Sequence, residues 1–338
     1  MQTFRFRRWA FLILLSCTLS TSPARAADVA PVIVGKNNWL FLGYEFAHAA
    51  DKPDTEASLD LLQKVNKLFE MRGIGLALVI VPSKIRIHAD QLPAGVLLDS
   101  YTAAKYDNMT TTLRSNGVNV VNLNQPFLDS PLRNSDTPLF LRLDTHWTPA
   151  GALLAAETVS ATLTQIPKLQ AALAGTPIEQ YRFSWSDRKV PHRARDLVRQ
   201  LPVNAQGYLL EQIRLFRVTR ANPAAVDLLG SGENIGITAI GSSYSHRNTG
   251  FPDALRYTLQ RNLLDISIPG DQGPWVGMEN YLRDSAFKTA PPKLILWELP
   301  ERELRSPPNY KFRDARYISG NDEWYARIVE LLKPPFGH

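Results

Sequence analysis

An unbroken apolar run at residues 76–81, closed by Pro82, constrains the fold of this chain more than any other feature of the sequence. A strand without a polar face must be covered on both sides, which is typical of a parallel sheet flanked by helices. Residues 55–72, just before it, place apolar side chains at i, i+3 and i+4, the spacing of an amphipathic helix that Gly73 can end. Together the two segments predict a helix that leads into a buried strand.

The same alternation of helix and strand returns along the chain. Thr148 can cap a helix whose first position suits Pro149. We expect further helices at 101–116, 149–163, 253–262 and 322–332, and further strands at 118–123, 138–143, 235–240 and 294–297. Strands that alternate with helices predict a three-layer α/β sandwich with a mostly parallel sheet.

Two segments depart from this alternation. Residues 32–43 indicate two short strands around a turn, in which Asn37 and Asn38 tolerate the positive φ angles of a tight hairpin. Residues 165–230 carry scattered charges and two apolar segments. We therefore expect an insertion of mixed structure there.

Residues 1–26 have the pattern of a secretory signal peptide. Three arginines precede the apolar residues 9–15, and the small residues on either side of Arg25 predict cleavage after Ala26. The apolar run is shorter than the roughly 20 residues that span a bilayer, which favours cleavage over a retained anchor. Twin-arginine export and a lipoprotein signal at Cys17 are less favoured interpretations of the same segment.

Removal of this segment changes what the composition implies. Four arginines and no acid would leave with it, so 34 basic residues would face 32 acidic residues, and the net charge would fall from +6 to about +2. That small charge gives no support for a nucleic-acid partner. Cys17 is the one cysteine, so the mature chain would have no disulfide, thiolate nucleophile or cysteine metal site.

Two polar clusters follow predicted strands, and ligands of open α/β sheets bind beyond the carboxyl ends of the strands. The sequence Asp-Thr-His-Trp begins at Asp144, and Gly-Ser-Ser-Tyr-Ser begins at Gly241. A serine hydroxyl needs a base to become nucleophilic, and a histidine base needs a carboxylate that orients its ring. Ser243, His146 and Asp144 are therefore a candidate nucleophile, base and orienting carboxylate.

Other interpretations of these residues stay open. Asp144 can cap the following helix, and Asp144 with His146 can ligate a metal ion. The serine-rich segment can be a plain turn, and His246, three residues after Ser243, is a competing base. We favour the nucleophilic set and expect no metal.

The order of these motifs resembles that of a known family. The segments Gly-Lys-Asn-Asn-Trp-Leu-Phe at Gly35, Val-Pro-Ser-Lys at Val81 and Trp-Glu-Leu-Pro-Glu-Arg at Trp297 accompany the two polar clusters. Over about residues 31–335 the chain is similar to the SGNH-hydrolase-like domain of the alginate O-acetyltransferases AlgX and AlgJ. We therefore expect residues 27–338 to form such an acetyltransferase domain, with the insertion at about 165–230.

The resemblance implies a periplasmic O-acyltransferase that acetylates hydroxyl groups of an exopolysaccharide, either alginate or another secreted glycan. In that role Ser243 would carry the acetyl group as an ester, His146 would be the base and Asp144 would orient it. The Ser243 N–H is the expected oxyanion donor. A membrane-bound O-acyltransferase is the implied source of the acetyl group, and no cofactor is implied.

Arg302 and Tyr281 are weaker candidates for substrate contact. Arg302 follows the last predicted strand at the same sheet edge, and Tyr281 lies in the region before that strand. Each has a structural alternative, since Arg302 can pair with Glu298 or Glu301 and Tyr281 can belong to the core.

Three further residues near the motifs favour structural roles. Trp39 and Trp147 are expected to pack in the core instead of stacking on sugars, and Lys84 is expected to be a solvated surface lysine, with substrate contact as the alternative.

Two departures from the family pattern limit the resemblance. The chain ends at residue 338 without the carbohydrate-binding module of AlgX, which favours an AlgJ-like arrangement. No Gly-x-Asn-Asp segment supplies the usual second oxyanion donor. The alternative functions are a carbohydrate acetyl esterase with the same triad and a non-catalytic subunit of an exopolysaccharide secretion complex.

Overall fold

A computed structural model describes residues 31–203, 207–222, 235–270 and 272–333 of the chain. The predicted signal peptide at 1–26, with Cys17, lies outside these residues. The strands are β1 (Val32–Val34), β2 (Leu40–Leu42), β3 (Gly75–Val81), β4 (Val120–Asn122), β5 (Tyr181–Pro191), β6 (Gln212–Arg220), β7 (Ile237–Gly241), β8 (Leu264–Ser267) and β9 (Leu294–Pro300).

The helices are joined by short loops and 3-10 turns. They are α1 (Lys52–Met71), α2 (Lys84–Ile87), α3 (Ser100–Ser115), α4 (Asn124–Asp129), α5 (Pro149–Gln165), α6 (Pro167–Ala174), α7 (Asp196–Arg199), α8 (Phe251–Leu259), α9 (Pro274–Arg283), α10 (Ser285–Thr289) and α11 (Asn321–Leu331). Among the helices of the described residues, none combines the length and the apolar character that crossing a bilayer requires.

Five strands form a parallel sheet in the order β4-β3-β9-β7-β8. Successive side chains of a strand point to opposite faces of the sheet. In β3, Val79 accordingly packs in a core cluster with α5 and α8, whereas Leu78 packs in a second cluster with α1, α9 and α11. Helices therefore cover both faces, which confirms the predicted three-layer sandwich with a parallel sheet.

The parallel arrangement brings the carboxyl ends of the strands to one edge of the sheet. Ser83 follows β3, Ser242 follows β7 and Glu301 follows β9 at this edge. These three segments are neighbours because β9 lies between β3 and β7. The edge is the one at which the predicted polar clusters were expected to meet.

Local signals in the sequence account for several element ends. The Thr148 side chain accepts a hydrogen bond from the Gly151 N–H at 3.2 Å, which confirms the predicted cap of α5. Asn37 and Asn38 adopt φ angles of 51° and 61° between β1 and β2, which confirms the predicted hairpin. β8 and α9 were not predicted, since the four residues of β8 mix polar and apolar types.

Residues 138–143 do not form a strand, so this prediction is wrong. Phe140 makes one isolated antiparallel bridge with Trp147, and the chain between them turns back on itself. Two backbone N–H groups of the segment donate to the carboxylate of Glu211, at 2.7 and 2.9 Å, instead of to a neighbouring strand. The segment resembles a strand in sequence because its apolar side chains are buried against the core.

The described part of residues 165–230, where an insertion is predicted, contains both helices and strands. β5 and β6 form a long antiparallel hairpin, with a register shift between Trp185 and Lys189. In sequence, α7 lies between the two strands. The hairpin packs against α8, and β6 also packs against α5. It therefore lies next to the segment 138–148 that leads into α5.

Candidate active site

The turn after β7 presents Ser243 at the carboxyl edge of the sheet. β7 ends at Gly241, and the chain then forms a 3-10 turn over Ser243–Ser245. The Ser242 Oγ caps this turn by accepting a hydrogen bond from the Tyr244 N–H at 3.2 Å. The half-buried Ser243 thus sits at the start of a short, capped turn.

Glu298 on the neighbouring strand β9 holds this turn through hydrogen bonds. Its carboxylate accepts hydrogen bonds from the Ser242 N–H at 2.7 Å and from the hydroxyls of Ser242 and Ser245 at 3.0 Å. Burial raises the pKa of Glu298 to about 7, although these hydrogen bonds oppose the rise. The turn therefore depends on a buried carboxyl group that can titrate near neutral pH.

Gly241 is required by the closeness of this packing. A Cβ atom at this position would lie 2.1 Å from the Ser245 Oγ and 2.5 Å from the Glu298 Oε2. Both distances are well inside van der Waals contact, so a side chain at Gly241 would separate the turn from Glu298.

His146 and Asp144 lie on the loop before α5 and face the Ser243 turn. The His146 Nε2 is 2.8 Å from the Ser243 Oγ, and the His146 Nδ1 is 2.6 Å from the Asp144 Oδ1. With Asp144 ionised, Nδ1 carries the proton that it donates to the carboxylate, and Nε2 accepts from the serine hydroxyl. The structure thus brings together the three residues that the sequence selected as nucleophile, base and orienting group.

Asp144 is almost fully buried and is held as a carboxylate. Its Oδ1 also accepts the His146 N–H at 3.1 Å, and its Oδ2 accepts the Asp196 N–H at 3.0 Å. Burial alone would raise the pKa of Asp144, but the hydrogen bonds and charge interaction with His146 hold that pKa well below its usual range. Asp144 therefore remains ionised at neutral pH and can stabilise a protonated imidazole.

Two carboxylates from the segment predicted as an insertion hold the Asp144 loop. Asp196, the first residue of α7, accepts a hydrogen bond from the Thr145 N–H at 2.8 Å and another from the Thr145 hydroxyl. Glu211, just before β6, accepts the N–H groups of Arg142 and Leu143 in this loop. These side chains satisfy backbone donors that a strand would have satisfied with its neighbour.

Lys84 is buried against the same loop, which corrects its prediction as a solvated surface lysine. Its Nζ donates to the backbone carbonyl oxygens of Leu40 at 2.6 Å and of Arg142 and Asp144 at 3.0 Å. Burial lowers the pKa of Lys84 to about 8, against the opposing effect of nearby carboxylates. The expectation fails because three carbonyl groups take the place of water around the ammonium, which has three donors to satisfy.

Arg302 reaches the site through Tyr244. Its Nη1 donates to the Tyr244 hydroxyl oxygen at 3.1 Å and to the Glu45 Oε1 at 3.2 Å, and not to either carboxylate expected as its partner. The Tyr244 hydroxyl in turn donates to the Thr145 carbonyl oxygen at 2.5 Å. These contacts place Arg302 behind the site, and its direct contact with substrate stays a prediction.

Tyr281 lies apart from this cluster, which corrects its prediction as a substrate contact. Its side chain is buried on α9, and its hydroxyl shares a hydrogen bond of 2.8 Å with the Thr238 Oγ1 inside the core. Tyr281 belongs to the core because α9 covers β7 on the face away from the loop of Asp144. Trp39 and Trp147 are buried as well, so neither offers a face to a sugar.

A cavity of about 210 Å³ opens onto Ser243 and His146, with His192 and His246 also in its lining. The His246 Nδ1 accepts the Asn248 N–H at 3.2 Å, so this ring is engaged with its own turn, whereas His146 is the ring bonded to the Ser243 hydroxyl. Within the described ranges, no group accepts a hydrogen bond from the Ser243 N–H. That donor is available to an oxyanion formed at the serine.

The alternative of a metal site rests on three of these groups. The carboxylates of Asp144 and Asp196 and the ring of His146 lie within 4.8 Å of one another. Both carboxylates already accept hydrogen bonds from N–H or O–H donors, and the His146 Nδ1 faces Asp144. A cation would have to displace these donors, so the set fits a proton relay better than a metal centre.

Four residues that support the site were not selected from the sequence for this role: Glu298, Asp196, Glu211 and Tyr244. Glu298 carried a usable signal, because an acid inside an otherwise apolar strand is buried and must find donors. Asp196 and Glu211 carried none, since acids are common in an insertion with scattered charges.

Comparisons with known proteins identify the family of this chain. The profile of a family described as "SGNH hydrolase-like domain, acetyltransferase AlgX" matches residues 32–301. The chain is 30% identical over 300 residues to the probable alginate O-acetylase AlgJ of Pseudomonas syringae pv. tomato, covering 85% of this chain and 73% of that relative.

Two solved structures share the architecture. The O-acetyltransferase domain of Pseudomonas putida AlgJ matches with a TM-score of 0.72 and 25% sequence identity, over 88% of this chain and 98% of that domain. Pseudomonas aeruginosa AlgX matches with a TM-score of 0.67 and 20% identity, over 89% of this chain and 66% of AlgX. The second match shows a common fold, and the first extends over nearly the whole AlgJ domain.

Proposed function

The chain belongs to the AlgX family of SGNH-hydrolase-like acetyltransferase domains, in an AlgJ-like arrangement, and we propose that it acetylates hydroxyl groups of alginate or an alginate-like secreted polysaccharide. The observation that carries the mechanism is the hydrogen-bonded line from Ser243 through His146 to Asp144, at 2.8 and 2.6 Å. A nucleophile, a base and a group that orients the base are the residues that covalent acyl transfer by a serine requires.

In the first half of the proposed reaction, Ser243 takes the acetyl group from a donor ester. The Ser243 Oγ attacks the carbonyl carbon while the His146 Nε2 accepts the hydroxyl proton. The bond between that carbon and the donor oxygen then breaks, and His146 returns the proton to the departing oxygen. The Ser243 N–H stabilises the oxyanion of the intermediate, and an acetyl ester on Ser243 remains.

In the second half, a sugar hydroxyl is the nucleophile. The His146 Nε2 accepts the proton of this hydroxyl as its oxygen attacks the acetyl carbon, and the bond to the Ser243 Oγ breaks. The proton passes from His146 to the Ser243 oxygen, which restores the free enzyme. Asp144 stabilises the protonated ring in both halves, and its low pKa supports that role.

The place of the reaction and the acetyl source belong to the same proposal. The signal pattern of residues 1–26 would direct the chain to the periplasm, where a secreted glycan passes. We propose a membrane-bound O-acyltransferase as the partner that delivers the acetyl group to Ser243.

Labelling with a serine-directed fluorophosphonate tests the nucleophile. Intact-mass spectrometry should show one adduct on the wild-type protein and none on Ser243→Ala. Ser115→Ala, which changes an exposed serine at the end of α3, is the matched control and should be labelled like the wild type. Two results would overturn the assignment and favour a binding role. One is labelling that persists on Ser243→Ala. The other is a folded wild-type protein that is not labelled although it hydrolyses p-nitrophenyl acetate.

Product analysis separates acetyl transfer from ester hydrolysis. With p-nitrophenyl acetate as donor and a defined oligomannuronate as acceptor, we expect acetylated oligomer in addition to free acetate. Asp144→Asn should lower kcat by up to about 10⁴-fold, because the His146 tautomer is no longer fixed. Release of acetate alone, at every acceptor concentration, would identify a carbohydrate acetyl esterase instead.

A further inference from the structure

A second cavity, of about 640 Å³, lies beside the triad and is not needed for the serine chemistry. It is bounded by the β5–β6 hairpin on one side and by the segment that leads into α5 on the other. Pro149 and Ile213 line both this cavity and the smaller cavity at Ser243, so the two adjoin. Its volume is within the range of sites that bind small ligands. We call it the hairpin groove.

Trp185 gives the hairpin groove an aromatic wall. It is the one tryptophan of the described ranges whose side chain is not fully buried. Phe183 and Phe216 hold the indole edge-on, with ring centroids at 5.4 and 5.5 Å and interplanar angles of 88° and 85°. A ring fixed in this way offers a rigid apolar face at little cost in conformational entropy, which suits the apolar face of a sugar ring.

Two arginines that are not in ion pairs line the hairpin groove. Within the part of the chain that the structure describes, no carboxylate lies in ion-pair contact with the guanidinium of Arg142 or Arg214. Arg214 donates to the Ser186 carbonyl oxygen at 2.7 Å, and its guanidinium lies 5.7 Å from the centre of the Trp185 ring. A guanidinium is suited to bind a carboxylate through two parallel hydrogen bonds.

The other charged residues of the hairpin groove reduce this charge but do not cancel it. Lys189 is paired with Asp136 at 2.6 Å, and the Glu211 carboxylate is occupied by two backbone N–H groups of the Asp144 loop. A carboxylate that accepts hydrogen bonds from neutral N–H groups keeps its negative charge, so three basic side chains face two acidic ones in the lining. The net charge of +1 favours an anionic ligand.

We propose that the hairpin groove is the acceptor site, and that it binds a uronate-containing glycan chain through Trp185, Arg142 and Arg214. This inference rests on the proposed acetyl transfer. Arg142 is two residues before Asp144, and Lys84 holds the backbone carbonyls of both. A sugar bound at Arg142 is thereby fixed relative to the triad. From there the glycan chain continues past Ile213 towards Ser243.

Calorimetric titration with a defined oligomannuronate tests the proposal, with a cello-oligosaccharide of equal length as the neutral comparison. The wild-type protein should bind the oligomannuronate more tightly, and the difference should shrink as salt is added. Trp185→Ala and Arg214→Gln should each weaken oligomannuronate binding by about tenfold or more. Arg217→Gln is the matched control, because Arg217 is three residues further along β6 and points to the opposite face of the strand.

A second readout separates this site from the triad. Hydrolysis of p-nitrophenyl acetate should be unchanged in Trp185→Ala and Arg214→Gln, whereas the KM for oligomannuronate in acetyl transfer should rise. Wild-type oligomannuronate affinity in both variants, or equal affinity for the neutral oligosaccharide, would overturn the acceptor site. Loss of the Ser243 assignment would instead show in fluorophosphonate labelling, so the two failures are distinguishable.

Discussion

Replacing Glu298 by glutamine tests whether a buried carboxyl group holds the turn of Ser243. Burial raises the pKa of Glu298 from its ordinary value of 4.5 to about 7. Because the folded-state pKa lies above the unfolded value, folding favours the protonated form. The stability that this gives is present below about pH 4.5 and is lost as the pH rises to about 7. At about 1.4 kcal/mol per pKa unit, the loss is about 3 kcal/mol.

Glutamine does not titrate, so the variant should lack this fall in stability. We expect the variant to gain stability relative to wild type. The difference in the free energy of unfolding, Glu298→Gln minus wild type, should rise by about 3 kcal/mol between about pH 4 and about pH 7.5. Urea unfolding at closely spaced pH values measures the difference directly. Near pH 4 the two neutral side chains have almost the same shape, and their stabilities should differ by only about 1 kcal/mol.

The control for this experiment has the opposite sign. Arg327 and Arg283 lower the pKa of Glu279 against the effect of its burial, so its contribution to stability is present at neutral pH and lost on acidification. Glu279→Gln should therefore lose stability at neutral pH, where Glu298→Gln gains it. Unfolding free energies of wild type and Glu298→Gln that run parallel from about pH 4 to about pH 7.5 would refute the raised pKa.

Two further substitutions test how the loops are held. Lys84→Met removes three buried donors but also a buried charge, so stability should change little. The kcat for p-nitrophenyl acetate should fall about tenfold or more, because the Asp144 carbonyl loses its hydrogen bond from Lys84. An unchanged kcat would contradict the positioning role. Gly241→Ala places a Cβ 2.1 Å from the Ser245 Oγ. It should lower the free energy of unfolding by about 1–3 kcal/mol and remove most fluorophosphonate labelling. Gly175→Ala, whose Cβ would meet only ordinary contacts at 3.5 Å, should leave both unchanged.

The sheet and the position of Ser243 could be predicted because their signals are local. β3 and β7 are apolar runs that require cover on both faces, and such runs occur in strands between helices. Ser243 lies two residues after the end of β7, so the rule that sites form at the carboxyl ends of parallel strands predicts its location at this edge.

The position of Asp144 and His146 could not be derived in the same way. They were placed at the sheet edge on the expectation of a strand at 138–143, and that segment is a buried loop. Burial of apolar side chains gives the same pattern in a loop as in a short strand, and the sequence does not show where the backbone donors go. Here they go to Glu211 and Asp196, which lie more than fifty residues further along the chain.

Because His146 and Ser243 lie on loops that share no strand ladder, their separation has to be set by side chains. Tyr244 follows Ser243 in sequence, and its hydroxyl donates to the carbonyl oxygen of Thr145, which precedes His146. This hydrogen bond of 2.5 Å joins the two loops next to the reacting atoms, and the Tyr244 ring lies 5.0 Å from the His146 ring. Arg302 fixes the same hydroxyl from behind. Ser-Tyr after β7 and Thr-His before α5 are therefore joined as one unit, and in the proposed mechanism the tyrosine sets the distance over which the proton moves between Ser243 and His146.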